Sequence, residues 1–313
     1  MGKRLPKSGA TSKTKPAGPG TKAGSDKARK PESTPPLGHL PAGLAERILE
    51  GMRVRPGQRV RLDQIDPDDN LGLDKDRAAA LLERNRARMA ELHELLWADD
   101  TRALLVVLQG MDTSGKDGLI RHVMTGLNPQ GCKVVSFKVP SDEERDHDFL
   151  WRVHKRVPAK GEIGIFNRSH YEGVLAERVL GIVPPSVWRQ RYNQINEFEE
   201  LLEESGTHVV KFFLHISRDE QKARLEARLA DPTKNWKFSL HDLDTRKRWN
   251  DYRAAFEDLL TKCSAHRAPW YVIPANRKWV RNLAASTIIL RELESMRLRW
   301  PKPRLDVGSI RIE

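Results

Sequence analysis

The residues best suited to chemistry lie together in the stretch VVLQGMDTSGKDG, Val106 to Gly118. Gly110, Met111, Asp112, Thr113, Ser114, Gly115 and Lys116 fit the spacing G-x-x-x-x-G-K, in which a strand-to-helix loop cradles phosphate with its backbone N–H groups and a lysine. The glycines let the backbone turn until several N–H groups point inward. The following helix adds the positive end of its dipole, and Lys116 neutralises phosphate oxygen. Gly110, Thr113, Ser114, Gly115, Lys116 and Asp117 are therefore expected to surround phosphate. The last of these is anomalous. Asp117 stands where such loops carry the Ser or Thr that binds Mg2+, and a carboxylate beside bound phosphate repels it unless a cation lies between them. The metal has to be held otherwise. Asp112, inside the loop, offers the carboxylate oxygen that Mg2+ or Mn2+ takes; its other possible role is to accept hydrogen bonds from the loop's own N–H groups.

A second constellation follows in GIFNRSHYEGVLAERV, Gly164 to Val179. Its strand ends on the neutral Asn167, followed by Arg168, which is suited to bidentate phosphate contact; Glu172 comes five residues after Asn167. A third is RLEARLADPTKNWKFSLHDLDTRKRWNDYR, Arg224 to Arg253, read as helix, Pro-containing turn and second helix. Arg224 and Arg228 share a helical face, and Lys234 and Lys237 flank Trp236 in the turn. Lys138, Arg145, Arg152, Lys155 and Arg156 form another basic group near the end of the second strand. Any one such Arg or Lys is usually a solvated charge. Together they make a track for a linear polyanion, with Lys138, Arg152, Arg224, Arg228, Lys234 and Lys237 as phosphate contacts and binding that weakens with salt.

The elements that must position these residues alternate between strand and helix. ALLVVLQ (103 to 109), KVVSFKV (133 to 139), EIGIFN (162 to 167), HVVKFFLHI (208 to 216) and PWYVIPA (269 to 275) are short, apolar and rich in β-branched or aromatic residues. Helical stretches long enough to cross over lie between them. Five such strands predict an α/β fold, a doubly wound parallel sheet that binds ligands at the carboxyl ends of its strands. Ahead of them, residues 74 to 99 show helical periodicity, with Leu81, Leu82, Met89, Leu92, Leu96 and Trp97 near one face.

Composition narrows the function. The chain has 313 residues and a formal charge of +12. Residues 1 to 40 hold nine Lys/Arg against Asp26 and Glu32, leaving +5 for residues 41 to 313. That Pro-, Gly- and Lys-rich tail has too little apolar side chain to fold; it is a solubilising linker or an auxiliary contact to a polyanion or nucleic acid. Cys132 and Cys263 are too few for a disulfide framework or a metal site, and read as reduced thiols of a cytoplasmic protein. No apolar run approaches the roughly 18 residues of a membrane span, and there is no signal-peptide h-region. His122, His147, His154, His170, His208, His215 and His241 lack metal-ligand spacing and read as structural, with His170 close to the phosphate region. Trp151, Trp249, Trp270 and Trp279 read as core, and Trp236 as an exception.

GMDTSGKDG, SFKVPSDEERDHDFLWRVHKRVP, FNRSHYE and KFFLHISRDEQKARLEARLADPTKNWKFSLHDLDTRKRWNDY, in that order, resemble the polyphosphate kinase 2 family over about residues 55 to 295. The resemblance implies a P-loop kinase fold similar to thymidylate kinase, a three-layer αβα sandwich with a five-stranded parallel sheet and a helical lid at about 224 to 253. The single domain would span residues 41 to 305, with a short C-terminal tail from 306 to 313. It also implies phosphoryl transfer between inorganic polyphosphate and nucleotides with Mg2+, or Mn2+, as cofactor. Asp112, Lys116 and Arg168 become the catalytic residues, and Asp112, Asn167 and Glu172 the metal set. Many members carry Asp at the position of Asn167; FNRSHYE is similar to the subgroup that phosphorylates both AMP and ADP, with GMP and GDP as further acceptors. A homo-oligomer, dimer or tetramer, is implied too. Phosphoryl transfer asks for positioning and charge neutralisation more than acid–base chemistry. The other enzyme reading is an ATP-dependent nucleoside monophosphate kinase. A nucleic-acid-binding module is a third, but it lacks base-edge readers and an aromatic RNA-binding strand.

Overall fold

The structure is a computed structural model that describes residues 40–303, 305–307 and 310–312. Helix α1 (Ala42–Leu49) and α2 (Lys75–Asp99) precede strand β1 (Ala103–Gln109), which leads into α3 (Lys116–Val123). Next come β2 (Cys132–Ser136), the single turns α4 (Asp142–Arg145) and α5 (Trp151–His154), and β3 (Ile163–Asn167). Short α6 (Ala176–Val179) and long α7 (Pro185–Glu204) lead to β4 (Thr207–His215). Then α8 (Arg218–Ala230), α9 (Leu240–Lys247) and α10 (Trp249–Lys262) precede β5 (Trp270–Pro274) and α11 (Lys278–Ser295).

The five strands pair in parallel in the order β2-β3-β1-β4-β5. β1 and β5 are buried along their whole length, as a parallel sheet covered on both faces requires. Side-chain alternation along β4 identifies the two covering layers. His208 pairs with Glu292 of α11 on one face, whereas Lys211 pairs with Glu199 of α7 on the other. α11 also packs on α2 and α3. The β5 edge is closed by residues 52–54, which exchange backbone hydrogen bonds with Trp270 and Val272.

The α/β architecture and all five strands are as the sequence predicts, with β2 ending three residues sooner, at Ser136. Helix α2 starts at the Asp74 cap, whose side chain accepts from Arg77 N–H. Its buried face carries Ala78, Leu81, Asn85, Met89, Leu92, His93 and Leu96. Trp97 does not belong to it and is 43% exposed, because it lies a turn-step away from the Met89–Leu92–Leu96 stripe. The predicted basic tail lies outside the described residues except for Leu40, which is buried in the core. Both cysteines are free, and burial pushes the thiols up, to about 11 for Cys132 and about 12 for Cys263, which makes them inert structural groups. Trp270 is fully buried, Trp249 and Trp279 pack against the core, and Trp236 is 75% exposed.

Candidate active site

Gln109 closes β1 and Gly110 opens the loop at the carboxyl end of the sheet, where this topology places ligands. The turn is sterically specified. Gly110 has φ 151°, and a Cβ there would lie 2.8 Å from both Leu214 O and Ser114 Oγ. Gly115 has φ 101°, and a Cβ would lie 1.9 Å from Arg281 Nη1. Thr113, at φ 63°, adopts a left-handed conformation without being glycine. The hydroxyls of Thr113 and Ser114 are buried with no protein partner, as expected of a cradle whose acceptors come from a ligand.

Lys116 begins α3 and is 9% exposed, curling back so that Nζ donates to Gly110 O at 2.8 Å and Met111 O at 3.3 Å. Burial and the neighbouring Arg168 push its pKa down to about 8, against the pull of Asp112, Glu172 and Asp117. Arg168 has left-handed backbone, φ 62°, fixed by its N–H donating to Leu108 O at 3.1 Å. That kink turns its side chain toward the loop, where Nη2 donates to Asp112 Oδ1 at 2.9 Å. The three residues expected to be catalytic thus converge.

Asp117 has a partner. Asn167 Nδ2 donates to Asp117 Oδ1 at 2.7 Å, tying the first turn of α3 to the end of β3. With its NH2 so oriented, the Asn167 amide oxygen remains as an acceptor. Glu172 sits in a 3-10 turn, His170–Gly173, capped by Ser169. Burial raises the Glu172 pKa, against Arg168, Lys116 and a hydrogen bond from Gln109. Asp112 and Glu172 line one cavity, and with the Asn167 oxygen they are hard-oxygen donors of the kind that Mg2+ or Mn2+ takes. Among the described residues no three His, Cys, Asp or Glu side chains make a metal cage. An ion held by so few protein oxygens would complete its shell with water and phosphate, as Mg2+ does.

The basic residues divide. Arg224 is committed to the protein: Nε donates to Glu220, Nη1 to Thr113 O and Ser114 O, and Nη2 to Ala275 O and Asn276 O, between 2.6 and 3.1 Å. Expected as a phosphate ligand, it instead clamps the back of the loop. Arg152 is held by Glu144 at 2.9 Å and Lys138 O at 2.7 Å, and lies over the Phe137 ring. Arg228 pairs with Asp242, and Lys234 with Asp231. Lys237 lies 5.1 Å above the exposed Trp236 ring, and Lys138 is exposed. Among the described residues of this group, Lys138, Lys155 and Lys237 show no acidic partner, Lys155 lying 4.0 Å over the Trp151 ring.

Across from the loop, His241 and Thr245 of α9 and Tyr252 and Phe256 of α10 close a cavity of about 40 Å3 over Gly110, Asp112, Arg168 and Glu172. The segment expected as a lid therefore does face the loop. Sequence reasoning missed Gln109, Gln221 and Arg281. Gln109 is 1% exposed and donates to Ser169 Oγ at 3.1 Å, linking β1 to the second motif. A polar residue ending an otherwise apolar strand was its signal. Gln221 is fully buried and donates to Asp112 O at 3.2 Å. Arg281, 2% exposed on α11, lies against Gly115 and Gly118, its guanidinium held by Asn282 Oδ1; burial and Arg224 push its pKa down to about 10, so it remains a cation behind the loop at neutral pH.

Residues 72–301 match the family model described as polyphosphate kinase 2. The chain is 48% identical over 267 residues to the AMP/ADP-polyphosphate phosphotransferase of Meiothermus ruber, covering 85% of this chain and 100% of that protein. It is 43% identical over 266 residues to the ADP-polyphosphate phosphotransferase of Rhodopseudomonas palustris, covering 80% of this chain and 91% of the other. The crystal structure of polyphosphate kinase 2 from Arthrobacter aurescens TC1 superposes with a TM-score of 0.80 at 45% identity, over 84% of this chain and 94% of that one. The glycine-bounded loop, the NRSHYE turn and the helical segment facing them all lie within the matched residues, and this chain belongs to the polyphosphate kinase 2 family.

Proposed function

We propose that this protein moves a phosphoryl group between inorganic polyphosphate and a nucleotide, making ADP from AMP and ATP from ADP in the forward direction. The observation that carries this reading is the convergence of Lys116 and Arg168 with Asp112 and Glu172 under one small cavity. Two fixed cations face the charge that spreads over a transferring phosphoryl group, and two carboxylates meet them where anionic substrates would otherwise repel. Mg2+ or Mn2+, held by Asp112, Asn167 and Glu172, would supply the bridging charge between those carboxylates and the phosphates.

The chain's own groups carry the rest. The loop N–H groups and the hydroxyls of Thr113 and Ser114 hold the phosphate that precedes the transferred group. Lys116 exchanges its two loop carbonyls for phosphate oxygen, and Arg168 releases one of its donors toward the equatorial oxygens while still fixing Asp112. Exposed Lys138 and Lys237 guide the polyanion from the rim. His241, Thr245, Tyr252 and Phe256 exclude water, which otherwise competes with the acceptor phosphate. GMP and GDP are proposed as further acceptors, and a homo-oligomer, dimer or tetramer, as the assembled form. Among the described residues no helix is long and apolar enough to cross a membrane.

The test is to incubate purified protein with Mg2+, long-chain polyphosphate and AMP, ADP, GMP or GDP singly, with no ATP, and resolve the nucleotides. Phosphorylated product from polyphosphate alone supports the proposal. Product only when ATP is the donor would make the protein an ordinary nucleoside monophosphate kinase.

A further inference from the structure

Behind the NRSHYE turn, inside the layer between α7 and the sheet, lies a closed set of polar groups that the chemistry above does not use. Lys211, in the middle of β4, is 0% exposed, Glu199 of α7 is 2% exposed, and Tyr171 and His170 are 0% and 3% exposed. The Lys211 ammonium uses all three of its donors: to Glu199 Oε2, to Tyr171 Oη at 3.1 Å and to Cys263 O at 2.7 Å. Glu199 Oε1 accepts from Tyr171 Oη at 2.9 Å and His170 Nε2 at 3.1 Å. The carboxylate can only accept, so His170 carries a proton on Nε2. The Lys211 Nζ also lies 5.4 Å from the Trp270 ring centroid.

An ion pair so deep adds little to stability, since apolar residues of similar volume are generally as good. Its placement is informative instead. His170 and Tyr171 are the two residues between Arg168–Ser169 and Glu172, and both are held by one carboxylate. On the other side of the same turn, Ser169 Oγ accepts from Tyr171 N–H at 3.2 Å and from Gln109 Nε2 at 3.1 Å. The turn is gripped from the core by Glu199 and from the phosphate-loop strand by Gln109, and the two residues it offers forward are Arg168 and Glu172.

We propose that Glu199 and Lys211 are positioning residues for phosphoryl transfer: the buried pair, acting through His170 and Tyr171, sets the direction in which Arg168 and Glu172 face the phosphate loop. This rests on the roles given above to Arg168 and Glu172. A pair that served only the core would be dispensable to catalysis once its charges were removed together. A pair that aims the turn would not, because apolar replacements, Glu199→Leu with Lys211→Met, fill the space but accept from neither His170 nor Tyr171.

The experiment compares wild type, Glu199→Leu, Lys211→Met, the double variant and Tyr171→Phe. Either charge removed alone leaves the other buried and unpaired, and the melting temperature falls. In Glu199→Leu/Lys211→Met it recovers part of that loss, while kcat with polyphosphate and ADP stays at least tenfold down and the Mg2+ concentration for half-maximal rate rises. Hydrogen exchange, which needs no turnover, shows faster exchange in peptides covering 164–179, with β1 and β4 still protected. Recovery of kcat together with melting temperature, at wild-type exchange, overturns the proposal. If the double variant does not fold, Tyr171→Phe decides: the ion pair and its contact with His170 stay and the Tyr171 contact is lost, so lower kcat and faster exchange support the proposal and wild-type values for both overturn it. A wild-type protein inactive with polyphosphate would remove the proposed function, and the exchange comparison would still judge the anchor.

Discussion

Asn167 Nδ2 and Asp117 Oδ1 lie 2.7 Å apart, so the acid that replaces the phosphate-loop hydroxyl is the hydrogen-bond partner of the amide that ends β3. The two departures from the ordinary phosphate-loop pattern compensate each other. One carboxylate near the phosphates is satisfied by an amide donor, and that amide is thereby oriented with its oxygen outward.

Asn167→Asp should therefore cost far more than its one-atom change implies, since it sets two carboxylates side by side where a donor and an acceptor now meet. We expect kcat to fall at least tenfold, about 1.4 kcal/mol in transition-state stabilisation. Exchanging the two groups, Asn167→Asp with Asp117→Asn, restores a donor–acceptor pair and should recover most of that loss. A double-mutant cycle with no coupling between the sites would refute the compensation.

Lys116→Ala is expected to lower turnover by about a hundredfold or more, the usual effect of removing a preorganised charge that faces developing negative charge. Its titration gives a second check. Burial holds the free enzyme's Lys116 pKa at about 8, so the cation is present below that pH and lost as pH rises through it. Consequently kcat/KM should decline above about pH 8. Bound polyphosphate favours the charged form, so kcat should decline at higher pH than kcat/KM does. Identical profiles for the two would indicate that the titrating group lies elsewhere.

Away from the site, Glu203 accepts from Val209 N–H at 2.5 Å, and burial pushes its pKa up to about 7 from 4.5. The folded protein thus binds a proton more tightly than the unfolded chain. The contribution to stability is fully present below pH 4.5 and is lost as pH rises through 7. Glu203→Gln keeps the acceptor and removes the charge. It should raise stability at pH 8 by about 1 kcal/mol, discounted for partial exposure, and leave it unchanged at pH 5. Equal effects at both pH values in thermal melts would contradict the assignment.

What the sequence disclosed and what it concealed separate along physical lines. The strands were legible because apolar runs of 5 to 9 residues bounded by turns have few other uses, and the phosphate loop because its glycines answer a steric demand visible in residue type alone. Arg168 and Glu172 were legible as chemistry, but the φ of 62° that turns Arg168 toward Asp112 was not. Nothing in RLEARLADP tells whether Arg224 faces phosphate or five protein acceptors, since the deciding carbonyls at Thr113, Ser114, Ala275 and Asn276 are distant in sequence. Lys211 and Glu199 look like surface charges until the sheet order buries them. Long-range polar pairing has no local signature, and the positioning layer of this site consists of it.

The acceptor range is the sharpest consequence of the second motif. A monophosphate acceptor places its attacking oxygen one phosphate nearer the nucleoside than a diphosphate does, so one site serving both needs donors that tolerate a shift of the acceptor phosphate. Asn167 supplies a neutral oxygen, and Glu172 stands on a 3-10 turn, with its carboxylate pKa raised by burial. In the metal role proposed for them, a neutral amide and a carboxylate held among Arg168, Lys116 and Gln109 would bind a hard cation less rigidly than two strand-end carboxylates. We expect AMP and ADP to be phosphorylated at rates within about tenfold of each other, a difference of no more than about 1.4 kcal/mol between the two transition states, with a divalent cation required for both. Glu172→Gln preserves shape and the contact with Gln109 but removes charge; it should lower both rates by about tenfold or more and raise the Mg2+ concentration needed for half-maximal rate. Lys116→Ala, by contrast, should lower both rates without that change in Mg2+ dependence. Should wild type use diphosphates alone, or Glu172→Gln leave both rates and the Mg2+ dependence untouched, neither the broad acceptor range nor the metal role of Glu172 would stand.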